Sequence, residues 1–147
     1  MLCEVLNKMN EKLLSSYFRS HLKEKKTDFI EQVPYRKKRI DFVTFEEEEK
    51  IYSFELKVSD WKSVFNQACK NLLFSDKSYI CFWHTFEKRI DMDLVKKYNL
   101  GLFLIKKNKV LEIFSPHNNN KYLKPSYYKS FKKKILNTIN NENLFGN

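Results

Sequence analysis

The sequence predicts an α/β fold in which two paired strands lead straight into a helix, with a basic extension at the C-terminal end. Three observations carry that reading. Two apolar runs, Arg39 to Phe45 and Ile51 to Val58, flank the charged turn Glu46 to Lys50. A helical stripe of Trp61, Val64, Phe65, Ala68 and Leu72 follows the second run directly. Another helical pattern opens the chain, and short apolar runs recur after Lys77.

Residues 2–22 read as a helix, because Leu2, Val5, Leu6, Met9 and Leu13 recur at i, i+3, i+4, i+7 and i+11. Leu14, Phe18 and Leu22 make a second stripe, so this helix is expected to lie between two layers. Glu11, and Glu4 one heptad earlier, fall on the meridian of the second stripe. Asp28 to Tyr35 reads as a strand, and Pro34 suits an edge or strand end. Arg36, Lys37, Lys38 and Arg39 form a basic turn into the next strand. Ser59 or Asp60 can cap the helix that carries Trp61, and Lys62 lies in its first turn. Gln67 falls just outside the buried stripe of that helix. Ser78 to Trp83 is a further strand, residues 87–99 are weakly helical, and Gly101 to Ile105 and Lys109 to Phe114 are two more strands. Tyr127 to Ile139 is a final helix. The chain thus divides into an α/β domain over 1–114 and a basic, aromatic-rich extension over 115–147 packed on the same domain.

Composition narrows the partners. The 147 residues suit one domain. With 28 Lys+Arg against 18 Asp+Glu the formal charge is +10, which favours a polyanion, and nucleic acid is the leading candidate. The tail from Ser115 holds six lysines and one glutamate, about half of that net charge. Tyr122, Tyr127, Tyr128 and Phe131 interleave with these lysines, as in nucleic-acid-binding segments. No apolar run approaches the ~20 residues of a membrane span, so no membrane partner is expected. The start lacks the features of a signal peptide. Three cysteines without C-x-x-C spacing argue against a disulfide framework or structural zinc, and a reducing cytoplasmic location is the simplest expectation. Two glycines in the whole chain exclude phosphate-binding P-loops and dinucleotide fingerprints.

Side chains alternate between the faces of a strand. Ile51, Ser53, Glu55 and Lys57 therefore share one face, and Asp41 shares a face with Val43 and Phe45. Pairing of the strands through Glu46 to Lys50 would bring Asp41 close to Glu55, a carboxylate pair with a lysine beside it at the mouth of the sheet. An exposed cross-strand salt bridge is the plainer reading, but Val43, Phe45 and Ile51 make the surroundings apolar.

The order helix, strand, strand, strand, helix, strand, with Asp41 on the second strand and Glu55-Leu56-Lys57 on the third, resembles the PD-(D/E)XK nuclease superfamily. That restriction-endonuclease-like group includes Holliday-junction resolvases. The two acids are 14 residues apart. The stretch E-L-K-V-S-D-W-K-S-V-F-N-Q-A is similar to members with a glutamine on the following helix. Ile40 stands where the proline of the family name would be. The resemblance covers roughly residues 4–83 and leaves the tail unexplained. It implies an αβββαβ core with a central mixed sheet flanked by helices. It also implies a Mg²⁺ (or Mn²⁺) ion held by Asp41, Glu55 and the Leu56 carbonyl, with Lys57, Gln67 and Glu11 (or Glu4) completing the site. The expected activity is endonucleolytic hydrolysis of phosphodiester bonds, in DNA by preference, by a homodimer where two strands are cut. Arg36, Lys37, Lys38, Arg39 and Lys62 are the expected nucleic-acid contacts. A non-cleaving nucleic-acid-binding module of the same fold, and a protein-interaction accessory factor of a mobile element or defence system, are the alternatives.

Overall fold

A computed structural model describes residues 9–144. Helix α1 spans Glu11–Glu24. It starts there because the Asn10 side chain accepts the Leu13 N–H at 2.8 Å, satisfying one of the free donors of the first turn. The expected start at residue 2 is therefore not met at Met9 and Asn10, which precede the helix; residues 2–8 lie outside the described residues. Leu14, Phe18 and Leu22 are buried, Met9 packs partly against the same cluster, and Leu13 is exposed; the rest of the first stripe lies outside the described residues.

Strands β1 (Asp28–Tyr35) and β2 (Lys38–Phe45) form a hairpin whose last pair is Tyr35 with Lys38. The turn is thus only Arg36-Lys37, both left-handed at φ 50° and 65°. Two-residue hairpins select such backbones because their twist matches that of the strands. Lys38 consequently belongs to the strand and not to the turn. A 3₁₀ turn over Glu47–Glu49 leads to β3 (Ile51–Lys57). Helix α2 (Trp61–Asn71) is capped by Asp60, and β4 (Lys77–Trp83) follows. The weakly helical 87–99 stretch resolves into a 3₁₀ segment, His84–Arg89, and a short α3 (Met92–Lys97) that Asp91 caps afresh. Strands β5 (Gly101–Lys106) and β6 (Lys109–Phe114) precede α4, which runs over Pro125–Leu144, longer than the sequence predicts. Proline suits its first position, where the missing N–H has no partner to lose.

The six strands form one mixed sheet in the order β1-β2-β3-β4-β5-β6. The β3–β4 and β4–β5 pairs are parallel and the rest antiparallel, so the chain crosses over through α2 and then α3. Alternation along the strands gives the sheet two different faces. Phe18 of α1 meets Phe42 edge-on at 5.0 Å, within an aromatic layer of Phe54, Tyr79 and Phe103. On the other face Val64, Ala68 and Leu72 of α2 pack on Ile80 and Phe82. Beside them Phe131 and Ile135 of α4 pack on Val33, Ile40, Val43 and Ile51. Burying each such side chain contributes about 1.5–3 kcal/mol. Cutting the chain at Ser115 would therefore strip core residues as well as lysines.

Candidate active site

The β2–β3 ladder pairs Phe45 with Ile51 at one end and Phe42 with Phe54 at the other, where it stops. One further step in this register would set Asp41 opposite Glu55. Instead the strands part, and the Asp41 carboxylate takes the place of the missing main-chain partner: its Oδ2 accepts the Leu56 N–H at 2.8 Å. On the other side of Asp41 the β1–β2 ladder is interrupted too, at Gln32, whose φ is 54°. Two ladder gaps meeting at one aspartate open a notch in the sheet.

Glu55 lies at the edge of that notch with only 1% of its surface exposed. Its Oε2 accepts the Asn71 Nδ2–H at 2.7 Å and the Lys38 ammonium at 3.2 Å. Lys38 also donates to the Gln67 carbonyl at 3.2 Å and to Asn71 Oδ1 at 2.6 Å, so the three N–H donors of its ammonium are matched by three acceptors. Lys57 lies 3.4 Å from Glu11 at the start of α1.

These groups perturb one another. Burial pushes the Glu55 carboxyl above the usual carboxylate range; Lys38 opposes this and the Asp41 charge adds to it. Burial likewise raises Asp41, against the pull of the Leu56 N–H, with Glu11 adding to the rise and Lys57 opposing it. The Lys38 ammonium is lowered by burial and held up in part by Glu55. Neighbouring carboxyls pushed the same way, with cations between them, are common at sites that handle charge.

Of the residues the sequence singles out, Glu11 and Lys57 lie close to Asp41, and Asp41 close to Glu55. Glu4 lies outside the described residues. Leu56 offers its N–H to Asp41 while its side chain is buried on the α1 face. Gln67 contributes its main-chain carbonyl; among the described residues its amide makes no hydrogen bond. Arg36, Lys37 and Arg39 are exposed near the hairpin turn, and Lys62 is exposed on α2. Lys38 is the correction: it points inward to Glu55, because the turn ends one residue earlier than the basic run suggests. Asn71 is missed by the sequence reading. Its signal is a polar residue inside the buried spacing Val64, Ala68, Asn71, Leu72, which must find a hydrogen-bonding partner.

The oxygens available suit a hard cation such as Mg²⁺, which is typically held by one or two carboxylates with substrate phosphates filling other positions. Among the described residues Glu55 Oε1 accepts no hydrogen bond, while the Asp41 carboxylate is approached by the Gln32 side chain as well as the Leu56 N–H. No three His, Cys, Asp or Glu side chains converge on one point among the described residues, so the donor set is a pair and not a cage.

No family model matches the chain, and no curated protein matches it. Its fold is similar to the solved structure of a protein of unknown function from Silicibacter pomeroyi. The match has a TM-score of 0.66 and covers 92% of this chain and 90% of that one, at 17% identity. The likeness is one of fold. It supports an α/β architecture with a six-stranded mixed sheet flanked by helices. No helix among the described residues is long and apolar enough to cross a membrane.

Proposed function

We propose that the chain is a metal-dependent nuclease that hydrolyses phosphodiester bonds in DNA, using Mg²⁺ or Mn²⁺. One observation carries the reading: two ladder gaps meet at Asp41, whose charge reaches Glu55, a buried acid with an oxygen to spare, while Glu11 and Lys57 lie close to Asp41. The order α1, β1, β2, β3, α2, β4 supports a restriction-endonuclease-like αβββαβ core, which the D…ExK spacing resembles.

In this reading Asp41 and Glu55 hold the cation, which when bound supplies charge to the scissile phosphate and a more acidic water. The Leu56 N–H fixes the Asp41 carboxylate, and Asn71 with Lys38 fixes Glu55. Lys57, with 26% of its side chain exposed, orients the attacking water or stabilises charge growing on the phosphate. Glu11 steers the Lys57 ammonium toward the notch.

The test is incubation with duplex, branched and single-stranded DNA and with RNA, with and without Mg²⁺ or Mn²⁺. Asp41→Ala and Glu55→Ala should abolish metal-dependent cleavage, and Lys57→Ala should abolish or greatly slow it while leaving metal binding intact. All three should still bind nucleic acid. Cleavage that survives all three substitutions would sink the assignment.

A second reading, a nucleic-acid-binding module of the same fold that does not cut, is favoured by the commitment of Glu55 Oε2 to Lys38 and Asn71. It expects no wild-type cleavage on any substrate, with binding retained.

A further inference from the structure

Between the β1–β2 turn and α4 lies an open cleft of about 600 Å³ lined, among the described residues, by Arg36, Lys37, Lys38, Arg39 and Lys134 with Pro34 and Tyr35, and by no acid. Lys38 has Glu55 as its counter-charge, but among the described residues the other four cations pair with no carboxylate. Gathering such charges without a counter-ion is unfavourable, and a polyanion entering the cleft reverses the sign of that interaction.

The cluster is also built rather than loose. Left-handed backbone at two successive residues normally selects Asn-Gly, and the chain places Arg and Lys there instead. The turn is tied to α4 at three points. The Tyr35 hydroxyl donates to the Tyr127 carbonyl at 3.0 Å, the Lys134 ammonium donates to the Pro34 carbonyl, and the Arg36 guanidinium lies 3.7 Å over the Tyr127 ring. Beneath it the Tyr35 ring packs 4.8 Å from Phe131, a fully buried residue of α4. Arg36 and Lys134 are thus held in place before any ligand arrives, which lowers the entropy cost of binding. The positive field reaches the Tyr127 phenol, which is drawn below its ordinary value by Lys124 first and by Arg36 after it.

We infer that this cleft is where a nucleic-acid backbone docks, its phosphates contacted by Arg36, Lys37, Arg39 and Lys134, with Lys38 at the inner end joining the cleft to Glu55. The choice of nucleic acid as the polyanion rests on the nuclease reading. The docking surface itself includes α4, which lies outside the stretch that resembles the nuclease superfamily. Arginine forks match phosphate oxygens, and contacts of this kind fix register on the backbone without reading sequence.

The decisive variant is Arg36→Asn/Lys37→Asn. Asparagine tolerates left-handed backbone, so the hairpin should melt at the same temperature or higher while the cleft loses two charges. Binding is read by anisotropy of a labelled DNA duplex in EDTA, over a range of salt. The variant should bind about ten-fold more weakly at 0.1 M salt, and the slope of log K against log salt should fall by about 1.8. Lys134→Gln should lower that slope by about 0.9. A control with the same charge loss, Lys106→Gln/Lys107→Gln at the β5–β6 turn, should leave affinity unchanged. Equal weakening in both double variants, no weakening in either, or tighter binding of the wild type to phosphatidylserine vesicles than to DNA would overturn the proposal. The two readings fail separately. Wild type that binds DNA through the cleft but never cuts keeps the cleft and loses the nuclease. Wild type that cuts while Arg36→Asn/Lys37→Asn binds normally keeps the nuclease and loses the cleft.

Discussion

Two buried acids stand near opposite ends of β3, and they are held in different ways. Asp76, at the start of β4, bonds the main chain and a helix: its Oδ2 accepts the Ile51 N–H at 2.8 Å and the Tyr128 hydroxyl at 2.6 Å. Its own N–H returns to the Ile51 carbonyl, and its carbonyl accepts the Asn119 N–H. One residue thus fastens β3, β4, the loop after β6 and α4 together. Glu55, at the other end, bonds two side chains and no main-chain group, and one of its oxygens stays free among the described residues. Asp76, through a main-chain donor and a helix hydroxyl, holds segments of the fold together. Glu55 is steadied by side chains alone.

The contrast predicts unequal effects of mutation. Asp76→Ala should have the largest, because it leaves the Ile51 N–H and the Tyr128 hydroxyl without their acceptor in a buried setting. A loss of about 3–5 kcal/mol is expected, read by urea denaturation. A loss under ~1 kcal/mol would mean that Asp76 does not carry the structural part assigned to it, since surface substitutions are typically that mild.

Glu55→Gln is the matching experiment at the other end. The amide keeps an acceptor for Lys38 and Asn71 and removes a charge whose burial is unfavourable, while Lys38 loses its counter-charge. These effects oppose each other, and the net change at neutral pH should stay within about 1 kcal/mol. In the nuclease reading the same variant loses metal-dependent cleavage altogether. A folded, active Glu55→Gln protein would erase the distinction between the two acids.

Much of this site can be read from the chain, because it depends on strand alternation and a short turn. Asp41, Glu55 and Lys57 need only the period of two and the Glu46 to Lys50 connection to be set near one another. Lys38 and Asn71 do not yield to that reasoning. They reach Glu55 from 17 and 16 residues away, across a hairpin and a helix. The basic run Arg36 to Arg39 looks like one solvated loop, and only the left-handed pair Arg36-Lys37 shortens the turn enough to put Lys38 on a strand. The start of α1 is misread for a related reason. Apolar spacing continues upstream of Asn10, but the cap decides where the described helix begins. Phe131 and Ile135 show the reverse: their four-residue spacing among lysines gives a helix face, while its partner, the β1–β2 surface, is set by the tertiary fold.

The smallest effect is expected at Asp41, and its sign makes it informative. Burial and the Glu11 charge hold the Asp41 carboxyl above its ordinary value, so the folded chain binds this proton more tightly than the unfolded one. Wild-type stability therefore falls as pH rises from the unfolded value near ~3.9 through the higher folded value. Below that window the carboxyl is protonated in both states and the penalty is absent. Asn cannot titrate, yet its Oδ1 can still accept the Leu56 N–H that closes the ladder gap. Asp41→Asn should therefore be more stable than wild type at neutral pH, by about 0.5–1 kcal/mol, and the gain should shrink toward zero on acidification to below pH ~4. Denaturation curves at several pH values read this directly. A variant less stable than wild type at neutral pH would show that Asp41 is retained for the hydrogen bond it makes, and would place it with Asp76 among the acids that hold the fold.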